Sequence, residues 1–450
     1  MRVLFVVPYA PSPVRVRPYN LIRSLVSMGH QVHVLTVAAG KEDRQSVEKL
    51  RSQGAEVSAM SLPRGLSLLN CVAALPTRMP MQAVFSWSPS VARRSAELAF
   101  ENGHSRFDVV HVEHLRGSRY GLYLKSQAER RGLDLPIVWD SVDCISLLFR
   151  QASTESRQWA KRLLCRFELK RTEEYESYLL RRFRQVLITS AVDRQALLAC
   201  PQPGNEQTGF VSVLPNGVDL LHFRPNPELP REPSTLIVTG KMSYHANVAM
   251  VLRLFEQIMP RIWKLRPDVK VVVAGQDPPL PILALARNPR IRVTGRVDDL
   301  RPYLLSATVA VAPVLYGVGI QNKLLEAMAC GTPVVTTPNA TRALQAVPGR
   351  HLLVSEKPEG FVESVLGLLD NTAWRTALGE AGREYVEEHH DWQKIAGRLT
   401  DLYGLTISQT RGQRHALLAG WRSVSPVKRS AAQRYPHSVS GKSQADGTGY

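Results

Sequence analysis

A glycine loop followed by a helix with one acid is the clearest chemical signal in the sequence. Residues 316–337 read YGVGIQNKLLEAMACGTPVVTT, where Gly317 and Gly319 precede a run of helix formers that contains Lys323 and Glu326. Glycine lets backbone approach a ligand closely, and a helix N-terminus offers unpaired N–H groups and a positive dipole end to phosphate. Glu326 can accept two hydrogen bonds from a ribose diol, and Lys323 can meet phosphate charge. Together these contacts suit a nucleoside diphosphate.

Polar side chains follow other predicted strands. Lys241 comes directly after Gly240 at a strand end, a position that favours phosphate contact. The segment FDVVHVEHLRG (107–117) brings Glu113 and His114 to another strand end, and strand alternation sends neighbouring side chains to opposite faces. We expect one of these two in a cleft beyond the strand. The alternative is a hydrogen bond that caps the strand.

The next predicted strand ends in paired carboxylates. WDSVDC (139–144) places Asp140 and Asp143 after the strand. One or both can cap a helix or a turn, which is the usual role of Asp in such a place. They can equally orient the hydroxyl of an acceptor, and the residues leave both alternatives open.

Two series of short apolar strands, each alternating with helices, must position these groups. We predict strands at 2–7, 30–37, 109–112, 136–140 and 185–190, then at 235–240, 269–275, 291–295, 307–313 and 332–337. Alternation of this kind is typical of α/β folds with parallel sheets covered on both faces. The proline-rich stretch 223–234 separates the series. We therefore predict two doubly wound, Rossmann-like domains that face an interdomain cleft, where ligands bind beyond the strands.

The predicted boundaries divide the chain into four parts. They are a first domain at 1–225, a second domain at 226–385, a helical stretch at 386–405 that crosses back to the first domain, and a mostly disordered basic tail at 406–450. A chain of 450 residues exceeds the roughly 250–300 residues at which single cores stop growing, which supports more than one domain.

Composition narrows the class of partner. A net charge of +18 favours polyanions such as phosphorylated substrates or an anionic membrane face. Nucleic acid is not expected, because the sequence lacks aromatic-rich sheet motifs and a helix-turn-helix. Five scattered cysteines indicate a reducing compartment, and the short apolar start reads as a strand rather than a signal peptide. We expect a cytoplasmic protein without a transmembrane segment, since prolines interrupt the uncharged stretch 302–322.

Peripheral membrane contact is one interpretation of a long basic helix predicted at 156–185. The helix carries Trp159, Leu163 and Phe167 among many Lys and Arg residues, and an apolar loop at 67–85 lies in the same domain. Such a surface can dock on anionic lipid at the cytoplasmic face of an inner membrane. A solvated helix with internal ion pairs is the alternative.

Taken together, these motifs resemble those of a known protein family. GIQNKLLEAMACGTPVV resembles the donor-binding signature of glycosyltransferase family 4, retaining enzymes of the GT-B fold, and GIQNK resembles a bacterial subgroup of sugar transferases in exopolysaccharide or cell-envelope glycan assembly. The resemblance extends to HVEHLRG, WDSVDCISLLF, LPNGVD, TGKMSYHANV and HHDW. It implies a nucleotide-sugar donor in the second domain and a glycan or lipid-linked acceptor in the first, with neither cofactor nor metal.

The resemblance also assigns residues. It implies that Glu326 is the second acid of an E-x7-E pattern and grips the donor ribose, while Val318 replaces the first acid. Lys241 falls where the family has a diphosphate-binding Arg, and Glu113 or His114 falls near the reacting sugar. Catalytic roles are thus expected for His114, Glu113 and Lys241, and acceptor or phosphate contacts for Arg15, Arg17, Asp140 and Asp143. The expected donor-binding set is Gly240, Lys241, Gly317, Gly319, Ile320, Gln321, Asn322, Lys323 and Glu326.

The sequence therefore predicts a retaining glycosyltransferase that uses a nucleotide sugar in polysaccharide or cell-envelope biosynthesis. A nucleotide-sugar epimerase of the same architecture is one alternative. A catalytically degenerate nucleotide-sugar-binding protein is another, and Val318 in place of an acid is its best support.

Overall fold

Two parallel sheets, each enclosed by helices, form the protein. In this computed structural model, residues 1–155, 159–201, 208–317 and 319–423 are described. The two doubly wound units confirm the predicted α/β fold. Because most strands are runs such as RVLFVV, with apolar side chains on both faces, they are stable only when both faces are covered.

The first sheet has seven strands in the order β3-β2-β1-β6-β7-β8-β9, with a small hairpin of β4 and β5 outside it. The strands are β1 (Arg2–Val7), β2 (Gln31–Val37), β3 (Glu56–Met60), β4 (Phe100–Glu101), β5 (His104–Ser105), β6 (Val109–Glu113), β7 (Ile137–Val142), β8 (Gln185–Ile188) and β9 (Phe210–Val213). The helices are α1 (Val16–Ser27), α2 (Lys41–Ser52), α3 (Arg64–Ala74), α4 (Met81–Val84), α5 (Pro89–Ala99), α6 (His114–Arg130), α7 (Ile145–Glu155), α8 (Trp159–Arg182) and α9 (Ala191–Leu198).

The second sheet has six strands in the order β12-β11-β10-β13-β14-β15. The strands are β10 (Thr235–Thr239), β11 (Lys270–Ala274), β12 (Ile291–Gly295), β13 (Val309–Ala312), β14 (Val334–Thr336) and β15 (Leu353–Val354). The helices are α10 (His245–Arg253), α11 (Met259–Leu265), α12 (Leu280–Leu283), α13 (Arg301–Ser306), α14 (Asn322–Ala329), α15 (Pro338–Thr341), α16 (Pro358–Asp370), α17 (Thr372–His389) and α18 (Trp392–Ser423). A π-helical turn at Leu254–Ile258 joins α10 to α11.

The last helix returns to the first sheet and completes its core. Trp392, Ile395, Leu399 and Tyr403 of α18 are buried in one cluster with residues of β1 and β2. The helix runs to Ser423, so the prediction of disorder from 406 is wrong as far as that residue, and 424–450 lie outside the described residues.

The predicted basic helix at 156–185 is observed as α8 from Trp159, and 156–158 lie outside the described residues. Within the described parts of the chain, no helix combines the length and the apolar character needed to cross a membrane.

Docking of α18 should stabilise the first domain through one face of the helix only. Leu399→Ala is expected to lower the free energy of unfolding by about 2–5 kcal/mol, because it removes a fully buried side chain and leaves a cavity. Leu405→Ala on the same helix, where the leucine is 55% exposed, should change it by no more than about 0.5 kcal/mol. Urea denaturation followed by circular dichroism measures both, and equal losses would contradict the observed orientation of α18.

Candidate functional site

The carboxyl ends of the two sheets face each other, and the glycine loop before α14 touches the opposite domain. Gly319 has a φ of +67°, in the left-handed region that favours glycine, and a Cβ there would collide with the Asp143 carboxylate. The Gly319 N–H donates a hydrogen bond to Asp193. The loop therefore needs glycine at this position both for its backbone conformation and for its close approach to the first domain. Val318 lies outside the described residues.

Glu326 faces a cavity between the domains. It lies on α14 and lines a space of about 170 Å³ together with Val16 and Arg23 of the first domain and Gly217 of the connecting segment. In the described ranges its carboxylate has no hydrogen-bond partner, and burial raises the pKa of Glu326 to about 7. A carboxylate in this setting can accept hydrogen bonds from a ligand diol.

Lys323 lies one turn earlier on the same helix. Its Nζ donates to Oδ1 of Asn247 at 2.6 Å, and burial lowers the pKa of Lys323 to about 8. Asn247 also donates through Nδ2 to the carbonyl of Lys241 at 2.9 Å. Asn247 thus connects the β10 strand end to α14. The sequence prediction missed this role, although YHANV placed an amide side chain at the start of a helix.

Lys241 extends from a turn that only glycines can form. Gly240 and Gly275 have φ values of +150° and +157°, and a Cβ on Gly275 would collide with the Gly240 carbonyl. The side chain of Lys241 is exposed and makes no hydrogen bond or ion pair with the residues that the structure describes. Its ammonium group is thus available to an anion.

The remaining residues of the predicted donor set have mixed surroundings. Ile320 is buried in the core of the second domain. Asn322 accepts a hydrogen bond from Asn216 at 3.5 Å, which links α14 to the LPNGVD segment. A Cβ on Gly317 would lie 3.2 Å from Nε2 of Gln321. Asn322 therefore contributes to the interdomain contact, and Ile320 anchors the loop.

On the first domain, Arg17 is committed to a buried network. Its Nε donates to Asp140 at 2.7 Å, and its Nη1 donates to the Leu214 carbonyl at 2.9 Å and to Oδ1 of Asn216 at 3.0 Å. Burial lowers the pKa of Arg17, but Asp140 outweighs it and the net pKa is raised. The expectation that Arg17 faces a leaving phosphate is therefore wrong for this structure, and Asp140 balances its charge.

Arg15 remains at the surface of the same edge. Its Nη1 donates to the Ala10 carbonyl at 2.9 Å and lies 3.4 Å from Asp43, and its guanidinium stacks on the Tyr9 ring at 5.0 Å. Since nearly half of the side chain is exposed, Arg15 is the member of the predicted arginine pair that stays accessible.

His111 joins the network from β6 and was not among the predicted site residues. Its Nε2 lies 3.4 Å from Asp140 and 3.5 Å from Glu113, and its Nδ1 lies 2.8 Å from the Tyr403 hydroxyl of α18. Burial lowers the pKa of His111, but hydrogen bonding to the two carboxylates outweighs it and raises the net value. Strand alternation alone gave no sign that a helix nearly 300 residues later would cover this side chain.

The His111, Glu113 and Asp140 set is also the group that could hold a metal ion in the described part of the chain, with ligand atoms within 4.8 Å of one another. The Arg17 guanidinium, however, lies 2.7 Å from the Asp140 oxygen that also faces His111. Because it puts a positive charge where a cation would bind, the set fits an ion-pair network better than a metal centre.

Glu113 and His114, which the sequence could not separate, differ in exposure. Glu113 is fully buried, accepts a hydrogen bond from the Tyr9 hydroxyl at 3.3 Å, and has its pKa raised by burial. His114 is partly exposed at the start of α6, with a φ of +63° that is uncommon outside glycine. Burial and Arg116 lower the pKa of His114 to about 3, so its imidazole is neutral at pH 7. His114 is thus the more accessible of the two.

The two acids of WDSVDC have different surroundings in the structure. Asp140 turns inward to Arg17, whereas Asp143 meets the glycine loop of the second domain. Thr189 donates to Asp143 at 3.2 Å, and burial together with Asp193 raises the pKa of Asp143 to about 7. Asp140 also accepts a hydrogen bond from the Val142 N–H at 3.1 Å, which is the turn-capping role that one alternative proposed. Asp140 is structural in position, and Asp143 lies at the interdomain contact.

Breaking the Arg17–Asp140 pair should unfold the first domain more readily. Arg17→Met is expected to cost about 3–5 kcal/mol of unfolding free energy, because it leaves a buried carboxylate without its strongest partner. Arg23→Met is the matched control, since Arg23 pairs with Asp219 at 3.0 Å with 36% of its side chain exposed, and should cost about 0–1 kcal/mol. Denaturant titration measures the free energy of unfolding of both variants. A small loss of this free energy in Arg17→Met would show that the pair does not stabilise the fold.

Comparison with known proteins gives one match for each half of the chain. The model for "Glycosyl transferase 4-like domain" matches residues 14–217, and that for "Glycosyl transferases group 1" matches residues 233–371. A curated relative is the GDP-mannose-dependent monoacylated alpha-(1-6)-phosphatidylinositol monomannoside mannosyltransferase of Corynebacterium glutamicum. It is 28% identical over 215 residues, which cover 42% of this chain and 55% of that protein. The chain spans about half the length of the curated relatives that it matches.

Solved structures share the architecture over nearly the whole chain. Sucrose-phosphate synthase from Thermosynechococcus elongatus superposes with a TM-score of 0.64 at 18% identity, covering 91% of this chain and all of that one. Anabaena HepE, solved with UDP and glucose, gives 0.61 at 13% identity, covering 90% and 99%. At such identities these structures show the fold alone. Each half of the chain thus matches a glycosyltransferase domain model, and the two domains together have the GT-B fold.

Proposed function

We propose that the protein is a retaining glycosyltransferase that moves a sugar from a nucleoside diphosphate sugar to a glycan or lipid-linked acceptor in polysaccharide or cell-envelope assembly. The observation that carries the proposal is the position of Glu326. Its carboxylate lines the interdomain cavity, and Glu326 lies on α14, the helix whose N-terminus follows the glycine loop. The resemblance of the sequence to family 4 supports retention of stereochemistry.

Charge on the leaving diphosphate is the main electrostatic demand of this reaction. Three sources of positive potential lie on the second domain: the unpartnered Lys241, Lys323 on the first turn of α14, and the N–H groups at the start of that helix. Together they can hold a diphosphate while Glu326 binds the ribose. The remaining donor contacts then belong to backbone N–H groups of the loop around Gly319.

The acceptor side is assigned to the first domain. Asp143 lies against the glycine loop, and His114 is partly exposed where β6 ends. A neutral His114 can donate or accept a hydrogen bond, and Asp143 can orient a hydroxyl when ionised. Glu113 acts through the buried network rather than by touching substrate.

The reaction on this proposal needs neither a cofactor nor a metal, because the two lysines and the α14 N-terminus supply the positive charge. The candidate nucleotides are taken from proteins that this chain resembles. The Corynebacterium relative is named for GDP-mannose, and HepE was solved with UDP, so both bases belong in a donor panel. An epimerase or a degenerate binding protein would bind the same nucleotides without transferring a sugar.

An anionic membrane surface is proposed as the second partner, at the cytoplasmic face of an inner membrane. The α3–α8 surface, defined here as Leu68, Leu69, Val72 and Leu75 with Trp159, Leu163, Leu164 and Phe167, is apolar and exposed, with Trp159 at 72% and Leu68 at 68%. Exposed cations Arg162, Arg166 and Lys170 accompany it, and no acid occurs between Trp159 and Phe167. Apolar side chains bordered by cations are typical of helices that lie on anionic lipid.

Glu326→Gln tests the donor site. We expect affinity for the bound nucleotide sugar to fall about 10–100-fold, because hydrogen bonds to a charged acceptor contribute about 1.5–3 kcal/mol. Glu363→Gln, at an exposed position on α16, is the control and should bind as the original protein does. Calorimetry with UDP-glucose and GDP-mannose measures the affinity. Slow donor hydrolysis then separates a transferase from a binding protein, and unchanged affinity in Glu326→Gln would refute this site.

Donor affinity should also depend on pH. With a pKa of about 7, Glu326 accepts hydrogen bonds only as it ionises, so affinity should rise as pH increases through 7. Above about 8 Lys323 loses its charge and affinity should fall. Titration of a nucleotide sugar, which lacks an ionising terminal phosphate, should therefore give a maximum between pH 7 and 8. Glu326→Gln should lose the acidic limb of the curve, and a flat profile would contradict these assignments.

Flotation with phosphatidylglycerol vesicles tests the α3–α8 surface. The protein should float at low salt and detach at high salt, because salt screens the lipid charge. The double change Trp159→Ser with Leu163→Ser should abolish flotation. Trp374→Ser, at a half-exposed tryptophan of α17 on the other domain, should not. Equal flotation of both variants would remove this surface from the proposal.

A further inference from the structure

A second cavity lies within the first domain, away from Glu326. It is an open pocket of about 560 Å³ bordered by α6, α8 and the residues on either side of α4. Its walls include four aromatic side chains, among them Trp87, Tyr123 and Tyr178, together with Arg78, Arg119 and Glu174. Neither the family resemblance nor the donor site gives this cavity a role.

Arg119 is prepared to bind an anion. Its guanidinium lies 4.3 Å from the Trp87 ring centre, and the Trp87 ring stacks on Tyr120 at 5.1 Å. Among the described residues Arg119 makes no hydrogen bond or ion pair, whereas Arg116, one turn earlier, donates to Gln82 at 2.7 Å. Stacking fixes the plane of the guanidinium and leaves its donors unused, an arrangement suited to bidentate recognition of phosphate.

Arg78 brings a second cation to the same cavity. It is exposed and has no hydrogen-bond or ion-pair partner within the described ranges. Glu174 is the one acid in the lining, so the walls carry a net positive charge. Met79 and Leu122 complete an apolar side next to the aromatic rings. The cavity thus offers two cations and an apolar wall, which together match an amphipathic anion.

The position of the cavity connects the α3–α8 surface with the reaction site. Arg171 of α8 donates to the carbonyls of Ala74 and Leu75 at 2.7 and 2.9 Å, which fixes the end of α3 beside α8, just before Arg78. At the other side, Arg119 is five residues after His114 on α6, about 7.5 Å along the helix axis. The cavity therefore lies beside the α3–α8 surface and on the helix that begins at His114.

We propose that this cavity binds the phosphate of a lipid-linked acceptor. Arg119 and Arg78 hold the phosphate, the start of the lipid chain lies along Met79, Leu122 and Tyr178 toward the α3–α8 surface, and the attached sugar points along α6 toward His114. The inference rests on the proposed glycosyltransferase function and specifies its acceptor as a lipid phosphate rather than a free saccharide.

Binding of farnesyl phosphate below its micelle concentration tests the proposal, with farnesol and inorganic phosphate as comparison ligands. We expect saturable binding of farnesyl phosphate, at least about tenfold tighter than either comparison ligand, because only this probe uses both the cations and the apolar wall. Arg119→Gln should weaken it about tenfold or more. Arg131→Gln changes an exposed arginine directly after α6 that stacks on Phe100 instead, and this variant should bind as the original protein does.

The outcomes separate this proposal from the donor site. Arg119→Gln should bind UDP-glucose or GDP-mannose with the same affinity as the unchanged protein. If the unchanged protein binds neither nucleotide sugar, the proposed function fails, whereas the lipid-phosphate site is judged by the farnesyl phosphate data. Equal affinity for farnesol, equal affinity for inorganic phosphate, or unaltered binding in Arg119→Gln would each overturn the lipid-phosphate site. If Arg119→Gln does not fold, Arg78→Gln at the exposed position replaces it with the same expected loss.

Discussion

The buried pair of Arg17 and Asp140 fixes the geometry on which the rest of the site depends. Arg17 binds the β7 carboxylate and, in the same guanidinium, the backbone of Leu214 and the side chain of Asn216 in the segment that leaves the first domain. Removing a charge from water is costly, and these further hydrogen bonds offset that cost, although Nη2 of Arg17 has no partner among the described residues. The path by which the chain leaves the first domain is therefore fixed by these charged and hydrogen-bonded contacts of Arg17 rather than by the proline-rich segment that follows.

From Asn216 the network continues into the second domain and back. The Asn216 carbonyl lies 2.6 Å from Nδ1 of His390, whose Nε2 lies 3.0 Å from the Tyr385 hydroxyl of α17. The helix after His390 then carries Tyr403 to His111, which faces Asp140. These contacts form a closed circuit through both domains. These contacts support the interdomain edge from the side on which α18 packs, and they leave the opposite side of that edge to ligands.

The local structure around the candidate donor residues could be predicted because these residues are close together in the sequence. Gly317, Gly319, Lys323 and Glu326 occupy one loop and one helix, and the constraint on each follows from helix geometry and glycine conformation. The strands were likewise readable from apolar runs, apart from β3, β9 and the two-residue strands β4, β5 and β15. β3, EVSAM, is half exposed and gives little apolar signal. The fold and the donor helix thus needed no tertiary information.

The acceptor half could not be predicted in the same way, because tertiary packing decides the fate of each group. Arg15 and Arg17 are two residues apart and chemically identical, yet Asp140 takes one into the core and leaves the other at the surface. Arg119 lies in no motif, and its significance comes from Trp87, some 30 residues earlier, which orients its guanidinium. A buried carboxylate partner makes Arg17 structural, whereas Arg119 has no such partner among the described residues and is oriented by an aromatic ring, so its donors are available. In this domain the distinction between framework and binding site is therefore a question of which cations the fold leaves unpaired.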